Sequence, residues 1–97
     1  MSAIALLYII EEVAEREGEI TQWDLFDALH RMLVDYGYVL YSDASLVMHD
    51  LETLETLNLV SIRREEDGTW RIRVTEKGRR VCEGVPELIR RRCFRRR

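Results

Sequence analysis

The hydrophobic pattern of the first 57 residues predicts three helices. Apolar residues recur at helical spacing in three stretches, residues 3–17, about 22–34 and 44–57. In each stretch they fall on one face of a helix, which is typical of helices that bury one side. Gly18 can stop the first helix, and Thr21 with Asp24 resembles a capping box at the start of the second. The intervening residues 19–21 are long enough only for a short strand.

From Leu59 the hydrophobic period changes from 3.6 to 2, which indicates β-strands. Residues 60–64 and 70–74 each alternate apolar with polar side chains, and most of the polar ones are arginine. The turn signal between them is Asp67 followed by Gly68. The pattern predicts a hairpin with one apolar face and one arginine face. Beyond it, Thr75 can cap a further helical turn, and Pro86 suits the first position of a short last helix.

The predicted order is helix, short strand, helix, helix, strand, strand and helix. A chain of 97 residues and 11.5 kDa has the size of one domain. We therefore expect a mainly helical α+β fold in a domain of residues 1–84, followed by a basic C-terminal helix or tail of residues 85–97. The longest apolar run, residues 3–10, is much shorter than the roughly 20 residues that span a bilayer. No cation precedes Arg16, so we expect a cytoplasmic protein without a membrane partner.

Charge is distributed unevenly along the chain. Residues 1–60 carry 2 cations and 12 carboxylates, and residues 61–97 carry 13 cations and 6 carboxylates, so balances of −10 and +7 give the net charge of −3. This asymmetry predicts binding to a polyanion, an acidic partner or self-association of opposite faces. The chain has one Asn and one Gln, which favours a thermophilic source. Its preference for Arg over Lys equally fits a bias in genome composition.

Residues that could carry catalysis or bind a metal form no recognised pattern. The two cysteines, Cys82 and Cys93, and the two histidines, His30 and His49, lack zinc-site spacing, so we expect no metal and no other cofactor. The sequence has neither a Gly-rich phosphate loop nor a nucleophile–histidine arrangement, and we do not expect an enzyme. For the cysteines we favour two ordinary thiols over a disulfide.

Two motifs resemble parts of the winged helix-turn-helix domains of PadR-like and MarR-like transcriptional regulators. Residues 50–60 (DLETLETLNLV) resemble the exit from their recognition helix, and residues 74–79 (VTEKGR) resemble the motif that follows their wing. The resemblance covers about residues 3–82. It implies a three-helix core with a two-stranded wing and sequence-specific binding of double-stranded DNA. In these families the third helix lies in the major groove and the wing touches the backbone or the minor groove.

The resemblance implies two sets of DNA-binding residues. The outward face of the third helix would contribute Ser45, Met48, His49, Glu52, Thr53 and Thr56. The hairpin would contribute Arg63, Arg64, Arg71 and Arg73. Because residues 41–58 carry four carboxylates and no cation, the hairpin must supply the attraction to phosphate. The alternative is a winged-helix protein–protein interaction module in a transcription or other macromolecular assembly, in which the acidic third helix meets a basic partner.

A homodimer is expected, because such domains usually read palindromic sites. Ile4 and Tyr8 stand one turn apart on the side of the first helix opposite its predicted core face. There they form either a second tertiary contact or a subunit interface. Apolar residues of the tail, Leu88, Ile89 and Phe94, can dock on a partner chain and complete the set of candidate interface residues.

Overall fold

The computed structural model describes residues 2–15 and 18–83. In these residues it shows four helices and a three-stranded antiparallel sheet in the order β1-β3-β2. The helices are α1 (Ser2–Ala14), α2 (Gln22–Tyr36), α3 (Ala44–Thr56) and α4 (Glu76–Glu83). The strands are β1 (Ile20–Thr21), β2 (Val60–Arg64) and β3 (Trp70–Val74). The mainly helical α+β class is confirmed, and these elements follow the predicted order. The tail of residues 85–97, with the helix predicted from Pro86, lies outside the described residues.

Helix α1 is the centre of the core. It contacts α2, α3, α4 and β3, and its residues 6–10 are all buried. Of the two alternatives for Ile4 and Tyr8, a second tertiary contact or a subunit interface, the structure shows the tertiary contact. Tyr8 is only 9% exposed and belongs to the core, while Ile4 is half-buried and packs against the same cluster. Because other elements surround α1, the side opposite its main core face is covered as well.

Three leucines that the helical pattern assigns to the core are instead exposed. Leu33 is 46%, Leu46 48% and Leu57 51% exposed. With 3.6 residues per turn, each projects roughly 80–110° away from the centre of the buried stripe of its helix. The three leucines therefore lie beside the buried stripe of their helix, on a side that the other described elements leave partly exposed. None of the helices in the described range is long and apolar enough to cross a membrane.

The sheet separates the two faces that the alternating pattern predicts. Ile20, Ile72 and Ile62 lie side by side across its core-facing side, and Ile72 is fully buried. The predicted capping box is present where β1 passes into α2. Thr21 Oγ1 accepts from the Asp24 N–H at 3.3 Å, and the Asp24 carboxylate accepts from the Thr21 N–H at 2.9 Å.

The two motifs that carry the family resemblance contact each other. The chain leaves α3 through Asn58, whose φ of 63° is left-handed, a conformation that Asn tolerates. Three successive carbonyls of this exit turn accept hydrogen bonds from the second motif. Lys77 Nζ donates to Leu57 O at 3.1 Å, Thr75 Oγ1 to Asn58 O at 2.6 Å, and the Thr75 N–H to Leu59 O at 3.1 Å. The second motif therefore satisfies carbonyls that the end of a helix leaves free.

Gly78 brings α4 against the same turn. The residue is buried, and its N–H donates to Thr75 Oγ1 at 3.0 Å, so Thr75 caps α4 as predicted. A Cβ at position 78 would overlap Leu59 O and would lie 2.7 Å from Val74 Cγ1. Only glycine allows this approach of the two backbones.

Candidate nucleic-acid interface

The outer face of the sheet gathers three of the four predicted hairpin arginines. Arg63 and Arg71 are direct partners across β2 and β3, and Arg73 is paired with Ser61 two positions further along. Successive side chains of a strand point to opposite faces, so all three arginines share the side away from the core. The side chain of Arg63 is 67% exposed and that of Arg71 41% exposed. The face therefore presents a small cluster of guanidinium groups.

Two carboxylates lie within this arginine cluster. Glu65 accepts a hydrogen bond from Arg71 Nε at 2.6 Å, which raises the pKa of Arg71. Glu19 Oε2 lies 3.6 Å from Arg63 and 3.8 Å from Arg71, is shielded from solvent, and has no hydrogen-bond partner within the described part of the chain. Arg73 forms no ion pair with any described residue, so it is the arginine of the cluster that is not held by an acid.

Arg64 lies on the other face of the sheet, apart from the three clustered arginines. Its guanidinium donates to both oxygens of Glu55, at 3.0 and 2.9 Å, and its Cζ lies 4.5 Å from the centre of the Trp70 ring. A bidentate pair and a cation–π contact both hold the group in place. The hydrogen bonds from Arg64 also lower the pKa of Glu55. Arg64 thus links the end of α3 to the hairpin, and the structure does not bring it together with Arg63.

The outward face of α3 is polar and mostly exposed. Ser45, His49, Glu52 and Thr56 are exposed, whereas Thr53 and Met48 are half-buried. Met48 packs against the core, so its assignment to the outward face is wrong. Two hydroxyls bond to their own helix, Thr53 to His49 O at 3.1 Å and Thr56 to Glu52 O at 3.0 Å. The other exposed residues of this face are Ser45, His49 and one carboxylate, Glu52.

Three of the four carboxylates in residues 41–58 are engaged inside the protein. Asp43 caps α3 by accepting from the Ser45 N–H at 2.9 Å, Asp50 accepts from the Tyr41 hydroxyl at 2.6 Å, and Glu55 is held by Arg64. Glu52 forms no ion pair with any described residue. Only Glu55 is paired with a described cation, and the neutral donors that bond to Asp43 and Asp50 do not offset their charge, so the surroundings of α3 stay acidic.

Gln22, which the sequence interpretation missed, holds the tip of the hairpin. It is 4% exposed, its Oε1 accepts from the Trp70 N–H at 2.7 Å, and its Nε2 donates to Gly68 O at 2.8 Å. Continuing the register of Thr21 with Arg71 places residue 22 opposite residue 70. The side-chain amide thus takes the place of the next backbone peptide of β1. The only signal in the sequence is a glutamine at the junction of a strand and a helix.

The other candidates were possible metal ligands, the two cysteines and the apolar residues of the tail. No group of three or more His, Cys, Asp or Glu that could hold a metal ion is found in residues 2–15 and 18–83. Cys82 is buried, at 4% exposed, and Cys93 lies outside the described residues. So do the candidate interface residues Leu88, Ile89 and Phe94.

Comparisons with models of protein families, with characterised proteins and with solved structures find no match to this chain. The resemblance to winged-helix regulators therefore rests on the order of the elements and on the two sequence motifs.

Proposed function

We propose that this protein is a sequence-specific regulator of transcription that binds double-stranded DNA through a winged helix-turn-helix. In this arrangement α3 enters the major groove, and the β2–β3 hairpin contacts the phosphate backbone. The element order and the sheet order β1-β3-β2 agree with such a domain. The observation that carries the proposal is the cluster of Arg63, Arg71 and Arg73 on the outer face of the sheet. Homodimer formation stays a prediction. Ile4 and Tyr8 are no longer candidates for the dimer interface, because they pack in or against the core.

A helix that approaches phosphates is repelled by acidic side chains, and of the four carboxylates near α3 only Glu55 is paired with a described cation, Arg64. Asp43 and Asp50 accept hydrogen bonds from neutral groups, which do not offset a negative charge, so the attraction to DNA must come from the hairpin arginines. Glu52 remains on the outward face, where a carboxylate can accept a hydrogen bond from the amino group of cytosine. Hydroxyl groups such as that of Ser45 can bond to any base.

Phosphate must displace Glu19 and Glu65 from the arginine cluster. Exposed ion pairs contribute only about 0–1 kcal/mol each, so this displacement has a small cost. It is smaller than the gain from releasing counterions at several phosphates. The internal pairs therefore reduce the affinity of the cluster for DNA without abolishing it.

The proposal is tested by measuring binding to random-sequence duplex DNA across a salt series. Each phosphate contact contributes about 0.9 to the slope of log K against log salt. Replacing Arg63, Arg71 and Arg73 together by alanine should therefore flatten the slope by about 2–3 units. The matched control is Arg31→Ala, which removes an exposed arginine that pairs with Asp27 on α2 at 3.0 Å. The control should keep the parent slope.

Glu19→Gln is the reverse test of the same surface. It removes the carboxylate that contacts both Arg63 and Arg71, so the affinity for random DNA should rise by about two- to fivefold, the equivalent of one weak ion pair.

Triple-alanine and parent proteins with equal salt slopes would contradict the proposal. A parent that binds no duplex at low salt would also exclude it.

A further inference from the structure

Exposed apolar residues are concentrated on α2 and on the loop that follows it. In the described part of the chain seven large apolar residues are exposed, and five of them lie here: Trp23, Leu33, Val34, Tyr36 and Val39. Trp23 is 61% and Val34 65% exposed. Leu33 and Val39 also line an open groove of about 280 Å³ beside α2. An exposed apolar patch of this kind marks an interaction surface.

One stripe of α2 points away from the core. With 3.6 residues per turn, four exposed residues fall within an arc of about 60°, and they are Trp23, Asp27, His30 and Val34. We call these four residues the α2 stripe. Their spacing of four, three and four residues is that of the seam between two packed helices. Arg31 lies at the edge of the stripe, where it pairs with Asp27 at 3.0 Å.

We propose that the α2 stripe packs against the α2 stripe of a second copy of this chain, with the two helices antiparallel. A two-fold axis between residues 28 and 29 places Trp23 against Val34 of the second copy. The same axis places Asp27 against His30 of the second copy, with Arg31 of that copy beside it. Each contact occurs twice, as in any two-fold interface.

The charges of this face argue for a second copy and for the antiparallel orientation. The side chains of Asp27 and Arg31 are 58% and 73% exposed, so both can form pairs across an interface. In the antiparallel orientation each Asp27 meets His30 and Arg31 of the other copy. A parallel pair in register would place Asp27 against Asp27, and like charges in contact disfavour association. The α2 stripe is therefore complementary to itself, which a two-fold interface requires.

Trp23 is the anchor of this interface, and its size sets the expected strength. The ring of Trp23 meets that of Phe26 edge-to-face, with centroids 6.1 Å apart, and tryptophan is among the residues that most often dominate the energy of protein interfaces. Helix α2 has 15 residues and is about 22 Å long. One face of such a helix offers less than the roughly 800 Å² per partner of a standard interface. We therefore expect a dimer that dissociates in the micromolar range.

The proposal does not rest on DNA binding, and the two are tested separately. Titration of DNA into nanomolar protein measures the monomer, because the dimer forms only at higher concentration. Failure of the dimer would leave the salt slopes of the DNA experiment unchanged.

Sedimentation velocity of the full-length protein, over a concentration series in the micromolar range, tests the interface. The parent should shift from monomer to dimer as the concentration rises. Asp27→Arg makes the centre of the stripe basic, and Arg31→Asp makes it acidic. Each variant should dimerise at least about tenfold more weakly than the parent, because like charges then meet at two symmetry-related contacts.

Mixing the two variants tests the antiparallel orientation. The basic centre of the Asp27→Arg protein then meets the acidic centre of the Arg31→Asp protein, so the two should associate at least about tenfold more tightly with each other than with themselves. A protein with both substitutions carries the reversed pair, which is again complementary to itself, and it should recover most of the affinity of the parent.

The matched control is the pair of Glu76 and Arg80, which has the same spacing on α4, lies 3.6 Å apart and is 77% and 74% exposed. Glu76→Arg and Arg80→Glu should each leave the dimer unchanged. Trp23→Ala should weaken it at least about tenfold, with the far-UV circular dichroism of the parent. A parent that stays monomeric throughout the series would overturn the proposal. So would dimers that survive both charge reversals, or charge-reversed variants that show no preference for each other.

Discussion

At Gly78 a hydrogen atom in place of a side chain decides how closely α4 approaches the turn that ends α3. The sequence offers a reason to expect alanine here, since glycine inside a helix costs about 1 kcal/mol relative to alanine. The buried contact with Leu59 O explains the glycine instead. The obstacle is backbone rather than the end of a flexible side chain, so it cannot move aside without displacing the whole turn.

Gly78→Ala should therefore destabilise the protein despite the better helix propensity of alanine. Overpacking of a tight site costs about 1–3 kcal/mol, and we expect a net loss in this range in urea denaturation. Arg80→Ala is the control, because it changes an exposed position of the same helix and should alter stability by less than about 0.5 kcal/mol. A Gly78→Ala protein as stable as the parent would show that the turn can move to make room for the added methyl group.

Among the elements, the β2–β3 hairpin depends most on a contact distant in the sequence. β1 pairs with β3 through only two residues, which is too short a strand to hold the hairpin tip by itself. Gln22 lengthens this pairing by two hydrogen bonds, to the Trp70 N–H and to Gly68 O. The orientation of the hairpin, and with it that of the arginine cluster, is thereby coupled to the start of α2.

Gln22→Met should loosen this coupling, because it keeps the length of the side chain but removes both hydrogen bonds. Leaving a buried donor and acceptor unsatisfied costs about 1–3 kcal/mol. The amide of Trp70 should exchange with solvent faster than in the parent, measured by NMR under native conditions. The amide of Ile72, in the centre of β3, is the internal reference. Unchanged exchange at Trp70 would mean that β2 alone holds the hairpin.

For the molecule as a whole, folding interleaves the charges that are segregated along the chain. Among the described residues, four ion pairs join a carboxylate of the first 60 residues to an arginine of the remainder. They are Glu19–Arg63 at 3.6 Å, Glu19–Arg71 at 3.8 Å, Glu55–Arg64 at 2.9 Å and Glu11–Arg79 at 3.7 Å. The charge asymmetry of the sequence thus serves the fold itself, in addition to any external partner.

This pairing predicts a loss of stability in acid. Arg64 holds the pKa of Glu55 below its ordinary value of 4.5. The stabilisation is therefore present above pH 4.5 and is lost as the pH falls through the lowered pKa of the folded state. At pH 6, Glu55→Gln should reduce the free energy of unfolding by about 0.5–1 kcal/mol, as expected for a surface ion pair.

In urea denaturation, the difference between Glu55→Gln and the parent should shrink between pH 5 and pH 3. Glu66→Gln, in the exposed hairpin turn, is the control and should follow the parent at every pH. A deficit of Glu55→Gln that is the same at pH 3 and pH 6 would contradict the proposed origin of the effect.

Local patterns in the sequence were sufficient to predict the structure of an element where it interacts mainly with itself or with its neighbour in the chain. The Thr21–Asp24 capping box and the turn at Gly68 depend on residues a few positions apart. The two faces of the hairpin follow from strand alternation alone, so the clustering of Arg63 with Arg71 was predictable. These features are encoded by backbone geometry and short-range hydrogen bonds, which the sequence by itself determines.

Only the tertiary structure decided which surfaces are covered and which charges are paired. Tyr8 is buried because α1 is surrounded, and the periodicity of a single helix contains no information about its neighbours. The partners of Gln22 lie 46 and 48 residues away, and Glu19 reaches the arginine cluster only because β1 pairs with β3. Such contacts join residues that are distant in the sequence and meet only in the folded chain, so no local sequence pattern predicts them.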